Sequence, residues 1–335
     1  MMNHVRIVLF MHSFSGYFRQ FEPALRELLQ RGHEVHVVRD REDTMRGEHW
    51  AQSLRAEFPA FTWNEAPPAE SDSWYALKRL VRPVSDYLYF LRPEYGQSGE
   101  LVRRARKRAP RRVRNVLDDP RSRWRRPANL RRASRALSIV DGAMPVSSVL
   151  RDFIREQKPD VVLLTPHLMP GSLQQDALRA ALDAGMPTAM CIASWDNLSS
   201  KQLIRVVPDV VTVWNETQRG EASTIHGLPA DRVVVTGAQA YDPWFDCTPR
   251  PREEFCAQVG LPTGRPYVLY VGGALFGADI TEAEFVLERW LPALRRSEHA
   301  ELREVGVLIR PHPKRFDEWA ALELGGMGAV SLWPQ

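Results

Sequence analysis

Three short apolar runs, Val161–Thr165, one beginning at Thr188, and Val210–Trp214, alternate with helix-length stretches at Leu173–Ala184 and from Asn215 to Gly227. Strands that carry apolar residues continuously, rather than at every second position, are buried on both faces, and the intervening helices supply the cover. The pattern predicts an α/β fold with a parallel sheet.

In open sheets of this kind, chemistry gathers beyond the carboxyl ends of the strands. The run from Thr188 stops in Ser194-Trp195-Asp196-Asn197-Leu198-Ser199-Ser200-Lys201, where a carboxylate, an amide, hydroxyls and an ammonium crowd together. His167 follows the first run and Asn215 follows the third, so His167, Asp196 and Asn215 are expected on one edge of one sheet. The cluster reads as a site. The competing reading is an Asx-turn and helix cap, in which Asn197 or Ser199 satisfies backbone amides.

The chain opens as a βαβ unit, with a strand at Val5–Phe10, a loop at His12–Arg19, a helix at Phe21–Gln30 closed by Gly32, and a strand at Glu34–Val38. The Gly-x-Gly-x-x-Gly fingerprint is absent from its first turn, which argues against a nicotinamide dinucleotide there. His12 falls where the first strand ends, a place from which an imidazole reaches a cleft; the alternative is a loop histidine bonded to backbone. Between Trp74 and Leu91 apolar residues recur at helical spacing around Pro83, predicting a helical insertion broken near the proline.

From Arg103 to Arg135 there are fifteen Lys or Arg against two acids, Asp118 and Asp119. Three partners compete for such a surface: anionic lipid head groups, an acidic or phosphate-bearing acceptor, and nucleic acid. Trp124 is the only aromatic interleaved there and no nucleic-acid motif accompanies it, so nucleic acid ranks last. A merely solvated arginine-rich helix ranks with the first two.

Ala240–Thr263, rich in proline and charge, reads as a crossing between domains. A second α/β unit follows, with strands at Tyr267–Val271, Val305–Ile309 and Ala329–Trp333, a Gly272-Gly273 turn, a helix at Thr281–Arg296, and Arg310-Pro311-His312-Pro313 after its second strand. The expected division is a first lobe at 1–245 with a basic helical insertion at roughly 70–140, a crossing at 246–265, and a partial second lobe at 266–335. Three strands are fewer than the roughly five or six of a doubly wound domain, so the expectation is a truncated second lobe and a fragment.

Three cysteines, Cys191, Cys247 and Cys256, match no zinc spacing and do not pair evenly, which points to a reducing, cytoplasmic setting. The apolar run at Val5–Met11 is too short for a signal sequence, and nothing approaches the roughly 20 apolar residues of a membrane span. A soluble or peripheral protein at the inner face of the plasma membrane is expected.

Two α/β lobes, a histidine after the first strand, a glycine turn and the Arg310–Pro313 segment together resemble the GT-B glycosyltransferase superfamily, over residues 5–334. The run Leu308–Pro313 is similar to the strand-end segment of CDP-glycerol glycerophosphotransferases and other envelope polysaccharide enzymes. Ala193–Lys201, Asp86-Tyr87-Leu88 and Arg310–Pro313 also resemble a bacterial group of GT-B-like proteins. The resemblance implies two Rossmann-like lobes, the second holding the diphosphate of a nucleotide-sugar donor and the first presenting an envelope glycan or lipid-linked acceptor across a cleft.

On that footing His12 and Asp196 are the candidate catalytic residues, His12 as general base and Asp196 as its rival or its orienting partner. Gly272, Gly273, Arg310 and His312 would bind the donor phosphates; His167, Asn197, Ser199, Ser200, Lys201 and Asn215 would line the acceptor side. The nucleotide-sugar is a substrate, so no cofactor is implied. The lack of an Asp-x-Asp motif agrees with metal-independent transfer. An enzyme resembling UDP-sugar 2-epimerases, and a noncatalytic module that binds membranes through Arg103–Arg135, are the alternatives.

Overall fold

A computed structural model describes residues 4–39, 47–95, 99–166, 171–274, 277, 279–320, 322, 324 and 327–334. The chain divides into two compact units, Met1–Asp246 and Cys247–Gln335. Each is a Rossmann-like α/β unit built on a parallel sheet.

The first sheet has seven strands: β1 (Arg6–Met11), β2 (Glu34–Arg39), β3 (Phe61–Glu65), β4 (Val161–Thr165), β5 (Thr188–Cys191), β6 (Val210–Val213) and β7 (Val233–Val235), in the order β3-β2-β1-β4-β5-β6-β7. The chain builds outward from β1 in one direction, then returns to its other side at β4. That reversal is the topological switch point, where the loops after β1 and β4 diverge and leave a crevice.

The helices around this sheet are α1 (Phe14–Gln30), α2 (Glu48–Glu57), α3 (Tyr75–Phe90), α4 (Gly99–Arg108), α5 (Arg111–Asp118), α6 (Pro127–Ala143), α7 (Ser148–Gln157), α8 (Gln174–Asp183), α9 (Asn197–Ser200) and α10 (Glu216–Thr224). Alternation along β1 explains the layers. Ile7, Leu9 and Met11 pack with Phe14, Phe18 and Phe21 of α1 and with Ala51 and Leu54 of α2, whereas Val8 and Phe10 pack with Leu150 and Ile154 of α7 and Ala177 and Leu178 of α8. Helices α3 to α6 make a further layer with its own core of Tyr87, Phe90, Leu101, Leu117 and Leu130.

Three expectations change. Helix α1 starts at Phe14 rather than Phe21, because Phe14, Phe18, Phe21, Leu25 and Leu29 are all buried on one helical stripe. Helix α3 runs through Pro83 without a break. Buried ion pairs hold it before the proline at Lys78 and Arg82 and after it at Asp86, and these tertiary anchors outweigh one lost backbone hydrogen bond. Strand β3 was not anticipated; it is recruited by β2, whose edge it pairs.

The second unit contains α11 (Arg252–Val259), β8 (Tyr267–Val271), α12 (Glu282–Glu284) continued as helical turns through Arg295, β9 (Gly306–Arg310) and β10 (Val330–Leu332), with sheet order β10-β9-β8. Val286, Leu291, Val307, Ile309 and Trp319 form its main core, and Val259, Leu261 and Leu308 fill the other face. Among the described residues no helix is long and apolar enough to cross a membrane.

Candidate functional site

His12 sits at the switch point. Its backbone N–H donates to the carbonyl of Thr165, the last residue of β4, at 3.2 Å, which fixes the chain where β1 and β4 separate. The side chain is buried, 6% exposed, and meets the Tyr17 ring edge-on at 6.3 Å.

The loop after β5 is closed by Asn197. Its Oδ1 accepts the backbone N–H groups of Ala193 at 3.1 Å and Ser194 at 3.0 Å, two amides that would otherwise be stranded beyond the strand end. Asp196 is held from three sides: Ser194 Oγ donates to Oδ1 at 2.8 Å, Ser200 Oγ donates to Oδ2 at 2.7 Å, and Lys201 Nζ lies 3.2 Å from Oδ2. Partial burial alone would raise the pKa of this carboxyl, but the hydroxyls of Ser200 and Ser194 and the Lys201 ammonium outweigh it, leaving Asp196 below its ordinary value. A carboxylate so engaged is a stable anion and a weak proton acceptor. All three of these contacts come from its own loop.

Asn215 is the N-cap of α10, its Oδ1 accepting from Gln218 N at 3.0 Å. Gln218 then joins the two loops, accepting from Trp214 N at 2.8 Å through Oε1 and donating from Nε2 to the Ser194 carbonyl at 3.1 Å. His226 does similar work behind α9. Its Nδ1 accepts from Ile204 N at 3.2 Å, which leaves the proton on Nε2 to be donated to the Leu198 carbonyl at 2.8 Å. Burial drives the His226 pKa down to about 4, so the ring is neutral. Asn197, Ser200 and Asn215 thus shape the edge, while Ser199 and Lys201 are partly exposed on it beside Trp195, 73% exposed. His167 lies outside the described residues.

In the second unit the glycine turn and the arginine-histidine segment come together. Gly272 N donates to the Arg310 carbonyl at 2.8 Å, and a Cβ at position 272 would stand 2.9 Å from the backbone nitrogen of His312. Only glycine permits this approach. The Arg310 side chain is exposed and His312 is partly buried. The Gly273 amide, however, is already given to Glu282 Oε1 at 2.9 Å, and Tyr270 Oη donates to the same oxygen at 3.1 Å. Burial, then Glu282, pushes the Tyr270 hydroxyl up to about 12. Thr281 and Glu284 close a capping box at the start of α12.

Gln218, His226 and Glu282 were not singled out from the sequence. Asn215-x-x-Gln218 carries a capping-box signal that would have found the first. Nothing local marks the other two. Among the described residues no group of three or more His, Cys, Asp or Glu is placed to hold a metal ion.

No family model matches the chain, and no curated protein matches it. Among solved structures it is similar to Acinetobacter baumannii MurG, at TM-score 0.40 and 14% identity over 98% of this chain and 65% of that one. It is also similar to a glycosyltransferase from Rickettsia africae, at TM-score 0.48 and 11% identity over 95% and 63%. A third is the UDP-GlcNAc 2-epimerase from Neisseria meningitidis bound to UDP-GlcNAc, at TM-score 0.45 and 13% identity over 98% and 72%. The chain thus spans just under two thirds of the length of the first two. At TM-scores this low these likenesses assign no residue a role.

Proposed function

We propose that the chain acts as a GT-B type glycosyltransferase, moving a sugar from a nucleotide-activated donor to an envelope glycan or lipid-linked acceptor without a metal. The observation that carries this reading is the approach of Gly272 to the His312 backbone, which joins the glycine turn to the cationic end of β9 within one unit. With the Gly273 amide held by Glu282, the donor phosphates fall to Arg310 and His312. Their charge-assisted hydrogen bonds stabilise the diphosphate as it leaves, the task a metal ion performs elsewhere.

His12 is the general base in this reading. It takes the proton of the acceptor hydroxyl as that oxygen bonds to the anomeric carbon and the bond to the diphosphate breaks. Asp196, whose acceptor capacity is already committed, acts instead as a fixed negative charge that orders Lys201 and the serines. Ser199 and Lys201 face the acceptor side. The exposed arginines of α5 and α6 supply a surface for anionic lipid on which a lipid-linked acceptor is carried.

The test is a nucleotide-release assay with a panel of nucleotide-sugars and a membrane extract as acceptor source. Release that requires acceptor, and falls about 100-fold or more in His12→Ala, is the expected result. Conversion of a UDP-sugar in the absence of acceptor would instead indicate epimerase chemistry.

A further inference from the structure

A pocket of about 350 Å³ opens in the first unit between the loop before α3, the first half of α3, the start of α7 and the first turn of α8. It abuts the end of the Asp196 loop, where Arg108 Nη2 donates to the Lys201 carbonyl at 3.2 Å. Its walls mix apolar surface from Pro67, Pro68 and Leu150 with the hydroxyls of Ser71 and Ser147, the amide of Gln175 and the ring of Tyr75.

The charges on those walls are not evenly matched. On one side Arg82 donates to both oxygens of Asp176 at 2.8 Å and to Asp141 at 2.8 Å, and Lys78 lies between Asp72 and Asp176. These cations have all the carboxylate they need. On the other side Asp86, 1% exposed, is claimed by Arg205 and by Leu203 N, and the guanidinium of Arg108 reaches it only at 3.7 Å. Two guanidiniums share one carboxylate. Burial outweighs the pull of Asp86 and holds Arg108 below its ordinary pKa, as expected for a cation short of a counter-charge. Arg79, exposed at the rim, stacks over Tyr75 at 5.5 Å and makes no ion pair among the described residues.

Gln175 closes the wall behind these charges. Gln175 is 1% exposed; its Nε2 donates to the Leu203 carbonyl at 3.2 Å, which fixes the amide, and its Oε1 is buried with no donor. That oxygen is closed to solvent, so the amide acts as a fixed part of the wall.

We propose that this pocket binds a saccharide bearing one anionic group, a carboxylate or a phosphate, with the anion held by Arg108 and Arg79. Proline and tyrosine side chains at Pro67, Pro68 and Tyr75 give the apolar faces of a pyranose something to lie on. That this saccharide is the acceptor rests on the transfer reading above; the binding does not.

The experiment is a titration of the whole chain with glucuronate, glucose 6-phosphate, glucose and inorganic phosphate, followed by calorimetry and ligand-observed NMR. At least one of the two anionic sugars is expected to bind about tenfold more tightly than glucose or phosphate, and Arg79→Gln and Arg108→Gln each to lose about tenfold, as for one charge-assisted hydrogen bond. Preference for glucuronate or for glucose 6-phosphate tells which anion is read. The proposal is overturned if no probe binds, if glucose or phosphate alone binds as tightly, or if Arg79→Gln binds as the wild type does. Arg79 is exposed, so its variant serves even if Arg108→Gln does not fold. Uridine, cytidine, guanosine and adenosine diphosphates titrated in parallel separate the two ideas, since failure of all four to bind alongside intact sugar binding would remove the transfer reading and leave the pocket.

Discussion

The backbone nitrogen of His312 leaves no room for a side chain at Gly272: a Cβ there would approach it to 2.9 Å, with Glu282 Oε2 at 3.1 Å and Pro311 Cα at 3.3 Å. Two of the three obstacles are backbone, which cannot swing aside. Gly272→Ala should therefore push β8 and β9 apart at their carboxyl ends and cost about 1–3 kcal/mol, read as a lowered melting temperature. A melting curve identical to that of the wild type would mean that the two strand ends are not so closely joined.

Asn197 should behave as a structural buckle rather than as a ligand group. Asn197→Ala strands the amides of Ala193 and Ser194 and is expected to cost about 1–3 kcal/mol, whereas Asn197→Asp keeps an acceptor in place and should cost less. Urea unfolding of the two variants decides this; equal losses would show that the oxygen is not what matters.

The neutral, buried His226 makes stability depend on pH. Its folded pKa is depressed from 6.5 to about 4, so its contribution is complete above pH 6.5 and is lost as the pH falls toward 4, where the unfolded chain takes up the proton first. The loss across that window is about 3 kcal/mol. In His226→Gln the difference in unfolding free energy between neutral and acidic solution should shrink by that amount. Parallel pH profiles for variant and wild type would refute the assignment.

Much of this architecture was legible in the chain itself. Strands buried on both faces, such as β4 and β6, announce themselves as unbroken apolar runs, and the turn residues before them fix where they begin. What could not be read was anything decided at long range. Strand β3 carries Thr62, Trp63 and Asn64, a mixed pattern that becomes a strand only because the edge of β2 is free to pair it. Helix α3 survives Pro83 because Asp176, Asp141 and Arg205, roughly 60 to over 100 positions away in sequence, grip its side chains. Asn197 and Asp196 were both expected in a site, and the loop does gather them, yet Asn197 spends its oxygen on backbone and Asp196 its carboxylate on its own loop. Glu282 gave no local sign that it would receive the Gly273 amide, because that contact exists only once the helix after β8 has docked.

The arginine-rich layer offers a separate check. Arg111, Arg112, Arg121, Arg126, Arg132 and Arg135 are exposed and make no ion pair among the described residues, and Trp124 is exposed among them. Flotation with vesicles containing phosphatidylserine should carry the protein at low salt and release it as salt rises, because screening acts on exposed charge. Flotation that ignores salt, or none at all, would argue against a lipid-facing role.

The most direct measurement is a calorimetric titration of the chain with uridine, cytidine, guanosine and adenosine diphosphates, the tightest of them repeated for Arg310→Ala and His312→Ala. Binding by the wild type that weakens about tenfold or more in each variant is the expected result, one charge-assisted contact being lost each time. Binding of equal strength in all three proteins would contradict the placement of the donor phosphates at the end of β9, and with it the transferase reading.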